Sequence, residues 1–255
     1  GYAHAFVSTN SDSHWRINYD GTRNLLMAAG EAGVRRFVFL SSVKAMAEPG
    51  SACADEDWPG APTSSYGKAK RAAEEAVLEA GVRYGMHVVN LRLAMVYGRG
   101  GRGNFERMAR GIEAGWFPSL PETGNRRSLV HVNDVVDVIR LVTAQPTANG
   151  KTYIVAGDCA YSGKEIYDTI CEVLGKPAAR YSVPEWLLRS CGRAGDILGL
   201  LHSRPFLLNS EVVGRLIGSA CYSSDKINKE LGWMAKTHLT EGVMEMLGVF
   251  RGLDK

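Results

Sequence analysis

The sequence predicts an α/β protein: a doubly wound parallel sheet followed by a smaller, mostly helical C-terminal lobe. Three observations carry this. Helical and strand patterns alternate through the first hundred or so residues, with connections suited to parallel pairing. Phe37-Val38-Phe39-Leu40 is an unbroken apolar run, the pattern of a strand covered on both faces. Beyond about residue 104 helical pieces dominate and little strand remains. The expected division is therefore 1–103 and 104–255, with some later segments returning to the sheet.

A chain of 255 residues can bury one substantial core, or one large and one small lobe. Apolar content of 45% with 22% charged residues is ordinary for a globular protein. A net charge of +3 argues against a dedicated nucleic-acid binder, which shows a clustered basic face. No apolar run approaches the ~18 residues that a membrane span needs, so no membrane insertion is expected. Cys53, Cys159, Cys171, Cys191 and Cys221 are scattered and odd in number. Their spacing suggests neither a disulfide framework nor a metal site, and reduced thiols in a cytoplasm are expected.

In chain order, Ala5-Phe6-Val7 is a short apolar run in a polar stretch. A helix starts near Asp12 or Ser13, runs through Ile17, Leu25, Leu26 and Ala29, and stops at Gly33. Asn18 and Gly21 lie inside it. A mid-helix glycine costs about 1 kcal/mol, so a close neighbour is expected to need the room. A strand from Val34 to Leu40 ends in Ser41-Ser42, and a polar loop covers residues 47–63. A helix carrying Tyr66 runs to about Tyr84 and is closed by Gly85. Met86 to Leu93 is a strand with Arg92 near its end, followed by a loop with Gly98, Gly100, Gly101 and Gly103. Asn104 opens a short helix; Arg127 to Val132 is a strand; Asn133 or Asp134 caps a helix; Thr152 to Val155 is a strand. Helices follow at about 163–174, 184–200, 208–217, 224–231 and 240–250.

The helix start Ser64-Ser65-Tyr66-Gly67-Lys68-Ala69-Lys70 carries the chemistry. Residues at i and i+4 share a helix face, so Tyr66 and Lys70 can point into one site. Tyrosine titrates near 10, and action as a base at neutral pH needs a reduction of roughly 3 units, about 4 kcal/mol. A fixed cation such as Lys70 favours the phenolate. Spacing alone does not single this pair out, because Tyr222 and Lys226 share it. The surroundings do. Ligands of such sheets sit outside the carboxyl ends of the strands, where Ser42 and Tyr66 are both expected. His131 reads as structural rather than catalytic.

Several separated segments together resemble the extended short-chain dehydrogenase/reductases, in the NAD-dependent epimerase/dehydratase branch that acts on nucleotide sugars. These are Asn18-Tyr19-Asp20-Gly21-Thr22, Phe37 to Ser42, Tyr66 to Lys70, Arg92 to Gly98, Arg127 to Asp134, and Glu230-Leu231-Gly232-Trp233. The resemblance implies a Rossmann-like sheet and catalysis by Ser42, Tyr66 and Lys70. It places Asn18, Ser41, Tyr66, Lys70 and Ala94 against NAD, with NADP left open. It places Ser42 on the sugar 4-oxygen, and Asn104, Arg127 and Arg215 on the diphosphate of a UDP-sugar, where an arginine fork suits phosphate oxygens. It further implies a homodimer through the helices at about 13–32 and 66–84. A UDP-sugar 4-epimerase for surface polysaccharide, a 4-ketosugar reductase and a non-catalytic nucleotide-binding relative all remain open here.

Three departures matter. The glycine-rich turn that receives the cofactor pyrophosphate precedes the Asn18 element in this family, and the residues shown lack it, so the sheet is expected to be N-terminally incomplete. The acid pair of the dehydratases is replaced by Val43 and Lys44, which disfavours dehydration. Met95 stands where many members carry a substrate asparagine.

Overall fold

Residues 11–101, 103–177, 181–202 and 209–248 are described by the computed structural model; Ala5-Phe6-Val7 lies outside them. Helix α1 (Ser11–His14) passes through a π-helical turn (Trp15–Asp20) into α2 (Gly21–Glu31). The junction residues His14 and Asp20 are themselves helical, so the three form one continuous rod. No crowding explains Gly21, contrary to expectation: a Cβ there would meet only the Arg16 carbonyl, at 3.6 Å.

Strand β1 (Arg36–Ser42) is followed by a 3-10 turn (Val43–Ala45), strand β2 (Cys53–Ala54), helix α3 (Ser65–Tyr84) and strand β3 (His87–Leu93). Next come β4 (Met95–Tyr97), α4 (Asn104–Glu113), β5 (Arg127–His131), α5 (Val132–Ala144) and β6 (Lys151–Val155). The chain continues with β7 (Ala160–Tyr161), α6 (Gly163–Val173), α7 (Glu185–His202), α8 (Ser210–Ile217), β8 (Cys221–Tyr222), α9 (Asp225–Leu231) and α10 (Leu239–Leu247). Among the described residues no helix is long and apolar enough to cross a membrane.

The central sheet has the order β1-β3-β6, parallel throughout. Ser42 lies opposite Leu93, and Leu93 opposite Val155, so the three strands end together. Strand β3 shows why the sheet must be covered twice. Val88 packs into the core beneath α2 and α3, whereas Val89 and Leu91 pack into the core shared with Val135, Val138 and Val142 of α5. Alternate residues of one strand thus enter different cores, as the pleat requires. A further core, including Phe105, Leu129, Ile170, Val213 and Val243, joins α4, α6, α8 and α10 to β4 and β5.

Three details differ from the sequence reading. Strands β4 and β7 flank β5 in a small mixed sheet; at three and two residues they are too short to leave a period. Helix α5 is capped by His131, whose Nδ1 accepts from the Asn133 N–H at 3.4 Å, not by Asn133 or Asp134. Asp134 instead accepts from the Lys236 and Thr237 amides. Finally, not all thiols stand alone. Parallel pairing of β2 with β8 sets Cys53 opposite Cys221, and the two form a disulfide with Cα atoms 4.5 Å apart. A separation of 168 residues hides that partnership from any spacing argument.

Candidate active site

Helix α3 begins where its cap dictates. The Ser64 hydroxyl accepts from the Gly67 N–H at 3.1 Å. Gly67 is then forced by contact: a Cβ there would lie 2.1 Å from the Lys44 carbonyl oxygen. Only glycine lets the helix start press against the turn that follows Ser42, and this brings Tyr66 beside Ser42. The Ser42 hydroxyl oxygen accepts from the Lys44 N–H at 3.2 Å and lies near enough to the Tyr66 phenol to favour its ionised form.

Burial pushes the Tyr66 pKa above its ordinary value, and the Ser42 contact opposes this only in part. One turn on, Lys70 is 7% exposed. Its ammonium donates to the Leu40 carbonyl at 2.9 Å and lies 4.6 Å from the centre of the Phe39 ring. Burial lowers its pKa to about 8, against the pull of Glu74. The expectation that Lys70 draws the phenol down is therefore corrected: in this arrangement the cation is engaged with β1, and burial dominates at Tyr66. The rival pair is dispersed. Tyr222 lies on β8, and Lys226 donates to the Thr152 carbonyl at 3.2 Å.

Ser41 and Ser42 point to opposite faces of β1. The Ser41 hydroxyl donates to Glu74 Oε1 at 2.6 Å, beneath α3. Arg92 of β3 reaches the same carboxylate, with Nη2 2.8 Å from Oε2 and Nε 3.0 Å from Oε1. Sequence reasoning missed Glu74. The signal was available, because it stands four residues beyond Lys70 on the same helix face.

Asn18 occupies the π turn packed on α3 and is 2% exposed, yet neither its amide nitrogen nor its amide oxygen has a partner among the described residues. Extra-residue turns of this kind concentrate at functional sites. His14 sits one turn earlier, edge-on to Tyr66 at 5.7 Å between ring centres, and its Nδ1 is likewise without a partner. Ala94, buried between β3 and β4, donates its N–H to Val155.

Of the residues expected at a diphosphate, Arg127 and Arg215 bear on each other electrostatically. Arg127 Nη1 donates to the Gly218 carbonyl at 2.8 Å, and the Arg215 charge joins burial in lowering the Arg127 pKa. Arg215 pairs with Glu211 and also bears on Glu48, in the loop after Ser42. Asn104 is the first residue of α4 and is partly buried. The loop between Ser42 and Tyr66 is fastened to the rest of the molecule by the Cys53–Cys221 disulfide, by the Ser223 N–H to Ala54, and by the Ile154 N–H to Glu56 Oε1 at 2.7 Å.

The model of the NAD dependent epimerase/dehydratase family matches residues 2–156, which hold this whole Ser42–Tyr66–Lys70 corner. The chain belongs to that family. This epimerase/dehydratase family member is 31% identical over 238 residues to a UDP-glucose 4-epimerase of Vibrio cholerae, covering 92% of the chain and 69% of the relative. It is 24% identical to an N-acetyl-alpha-D-glucosaminyl-diphospho-ditrans,octacis-undecaprenol 4-epimerase of Escherichia coli O157:H7, over 90% of the chain and 70% of that protein. In fold it is similar to MoeE5 in complex with UDP-glucuronic acid and NAD, with a TM-score of 0.71, 23% identity, and coverage of 94% and 73%. An enzyme of the NAD-dependent epimerase kind follows from the family. The residues present fit that cofactor: the unpartnered, buried Asn18 amide flanks α3, where the Tyr66 phenol and the Lys70 ammonium stand one turn apart.

Proposed function

We propose that the chain carries the catalytic apparatus of a UDP-sugar 4-epimerase. The placement of Tyr66 beside Ser42 by the close approach of Gly67 to the Lys44 carbonyl, one helical turn from a buried lysine, is the observation that supports this reading best. NAD, when bound, supplies the acceptor and donor of hydride. Ser42 holds the 4-oxygen. Tyr66 takes the hydroxyl proton as the carbonyl forms at C4 and returns it when the alcohol is restored. Burial makes the phenol the resting form of Tyr66, and Lys70, one turn on, would stand on the cofactor side of the same helix face. Arg127 and Arg215 would hold the diphosphate by paired hydrogen bonds. Residues 1–103 would form the cofactor side and 104–255 mainly the sugar side.

The full-length enzyme, incubated with UDP-glucose or UDP-N-acetylglucosamine and no added reduced cofactor, is expected to form the 4-isomer. Turnover only with a 4-keto sugar and reduced cofactor would instead make it a reductase. A homodimer is part of the proposal, because α2 and α3 leave Leu25 58% and Val82 89% exposed. Light scattering that shows a monomer at micromolar concentration would contradict it.

A further inference from the structure

Glu74 is 2% exposed and is bound by groups from both central strands. The Ser41 hydroxyl reaches it from the residue next to Ser42, and the Arg92 guanidinium from the end of β3. The β3 amide of Asn90 adds a further tie, donating to the Glu74 backbone carbonyl at 3.2 Å. The same helix carries Tyr66, Lys70 and Glu74 at successive turns. A carboxylate buried this deeply costs stability unless it is paired and hydrogen-bonded, and a buried ion pair is often no more stable than apolar residues of the same volume. Its position therefore calls for another account than stability.

We propose that Glu74 is a positioning residue of the active site: through Ser41 and Arg92 it fixes the ends of β1 and β3 against α3, sets Ser42 relative to Tyr66, and places an anion one helical turn from Lys70. This rests on the assignment of Ser42, Tyr66 and Lys70 given above.

The groups around Lys70 bear this out. Its own helix contributes Tyr66 and Glu74; β1 contributes the Leu40 carbonyl and the Phe39 ring; Arg92 of β3 is tied to both Glu74 oxygens. Of the other elements packed on α3, α1 brings His14 against Tyr66, the π turn carries Arg16 and Asp20, α2 carries Arg23 and Glu31, and the 3-10 turn carries Lys44. Arg16, Asp20, Arg23, Glu31 and Lys44 are all exposed. Among the described residues, Glu74 is the charged group that bears on Lys70, and it acts to keep the proton on.

The test uses the full-length enzyme. Glu74→Gln strands the Arg92 charge and risks unfolding, so it is paired with Glu74→Leu together with Arg92→Met, which replaces the ion pair by apolar bulk, and with Ser41→Ala. In the folded double variant kcat is expected to fall at least about tenfold, with KM held within about threefold. Ser41→Ala is expected to lower kcat by a smaller factor, with the melting temperature little changed. The Lys70 titration, followed by NMR of isotope-labelled lysine and independent of turnover, is expected near pH 8 in the wild type. It is expected to move down in folded Glu74→Gln, where the anion alone is lost. A folded double variant with wild-type kcat, or an unmoved Lys70 titration in folded Glu74→Gln, would show Glu74 to be a structural ion-pair partner only. A wild type that epimerises nothing would overturn the proposed function instead, and the titration alone would then decide the role of Glu74.

Discussion

Helices α3 and α6 start alike and end differently. Each is capped by a serine. Ser162 of α6 forms a full capping box, accepting from the Glu165 N–H while Glu165 accepts from the Ser162 N–H at 2.6 Å. The inner face of α6 is then almost wholly apolar, with Ile166, Tyr167, Ile170, Cys171 and Val173 buried. Helix α3 buries Ala69, Ala73, Val77 and Ala80 against the sheet, but gives a neighbouring stripe to Tyr66, Lys70 and Glu74. An α6 built only to pack leaves no charge on its buried face. An α3 that keeps a lysine at a pKa of about 8 accepts a cost in stability that packing does not require. That contrast is what marks α3 as the working helix.

The strongest way to sharpen the contrast is Lys70→Met. Turnover is expected to drop by about a thousandfold or more, the scale of a lost acid–base partner. Stability should move the other way, by about 1–3 kcal/mol, because the folded state no longer has to bury a charged ammonium. The sign is testable in the wild type. The Lys70 pKa is lower folded than unfolded, so between about pH 8 and about pH 10.5 the unfolded chain holds more of its proton. Its contribution to stability therefore rises with pH across that window, and the Met variant should lack the rise in thermal melts. A Met variant that melts below the wild type would break the comparison.

Ile170→Ala in α6 should behave in the opposite manner. Ile170 is fully buried, so the cavity is expected to cost about 2–5 kcal/mol in denaturant titrations. The kcat of the folded fraction should stay within about twofold, because the site is remote and the effects are independent. A large loss of kcat without loss of stability would erase the distinction between the helices.

Much of this was legible in the residues themselves. The alternation of helical and strand patterns gave the parallel sheet, but the apolar run Phe37 to Leu40, read as covered on both faces, lies on an edge strand among the described residues, with Leu40 41% exposed. The i, i+4 rule placed Tyr66 and Lys70 together wherever the helix lay. The same rule, carried one turn further, would have found Glu74, and strand alternation would have turned Ser41 away from Ser42. Other features were not local. The Cys53–Cys221 disulfide depends on two-residue strands that meet only in the folded chain. The π turn around Asn18 changes the helical period too little, and too briefly, to show in sequence. Whether burial or a cation rules the Tyr66 pKa depends on where Lys70 sends its ammonium, which no spacing records.

The central claim is that the Tyr66 hydroxyl moves the proton at the sugar. Removing it with Tyr66→Phe leaves the ring, its contact with His14 and the helix in place. The decisive measurement is UDP-sugar turnover by the full-length Phe variant beside its affinity for the same nucleotide sugar. The account predicts a kcat lower by about a thousandfold or more with affinity within about threefold of wild type. A Phe variant that turns over at the wild-type rate would contradict it.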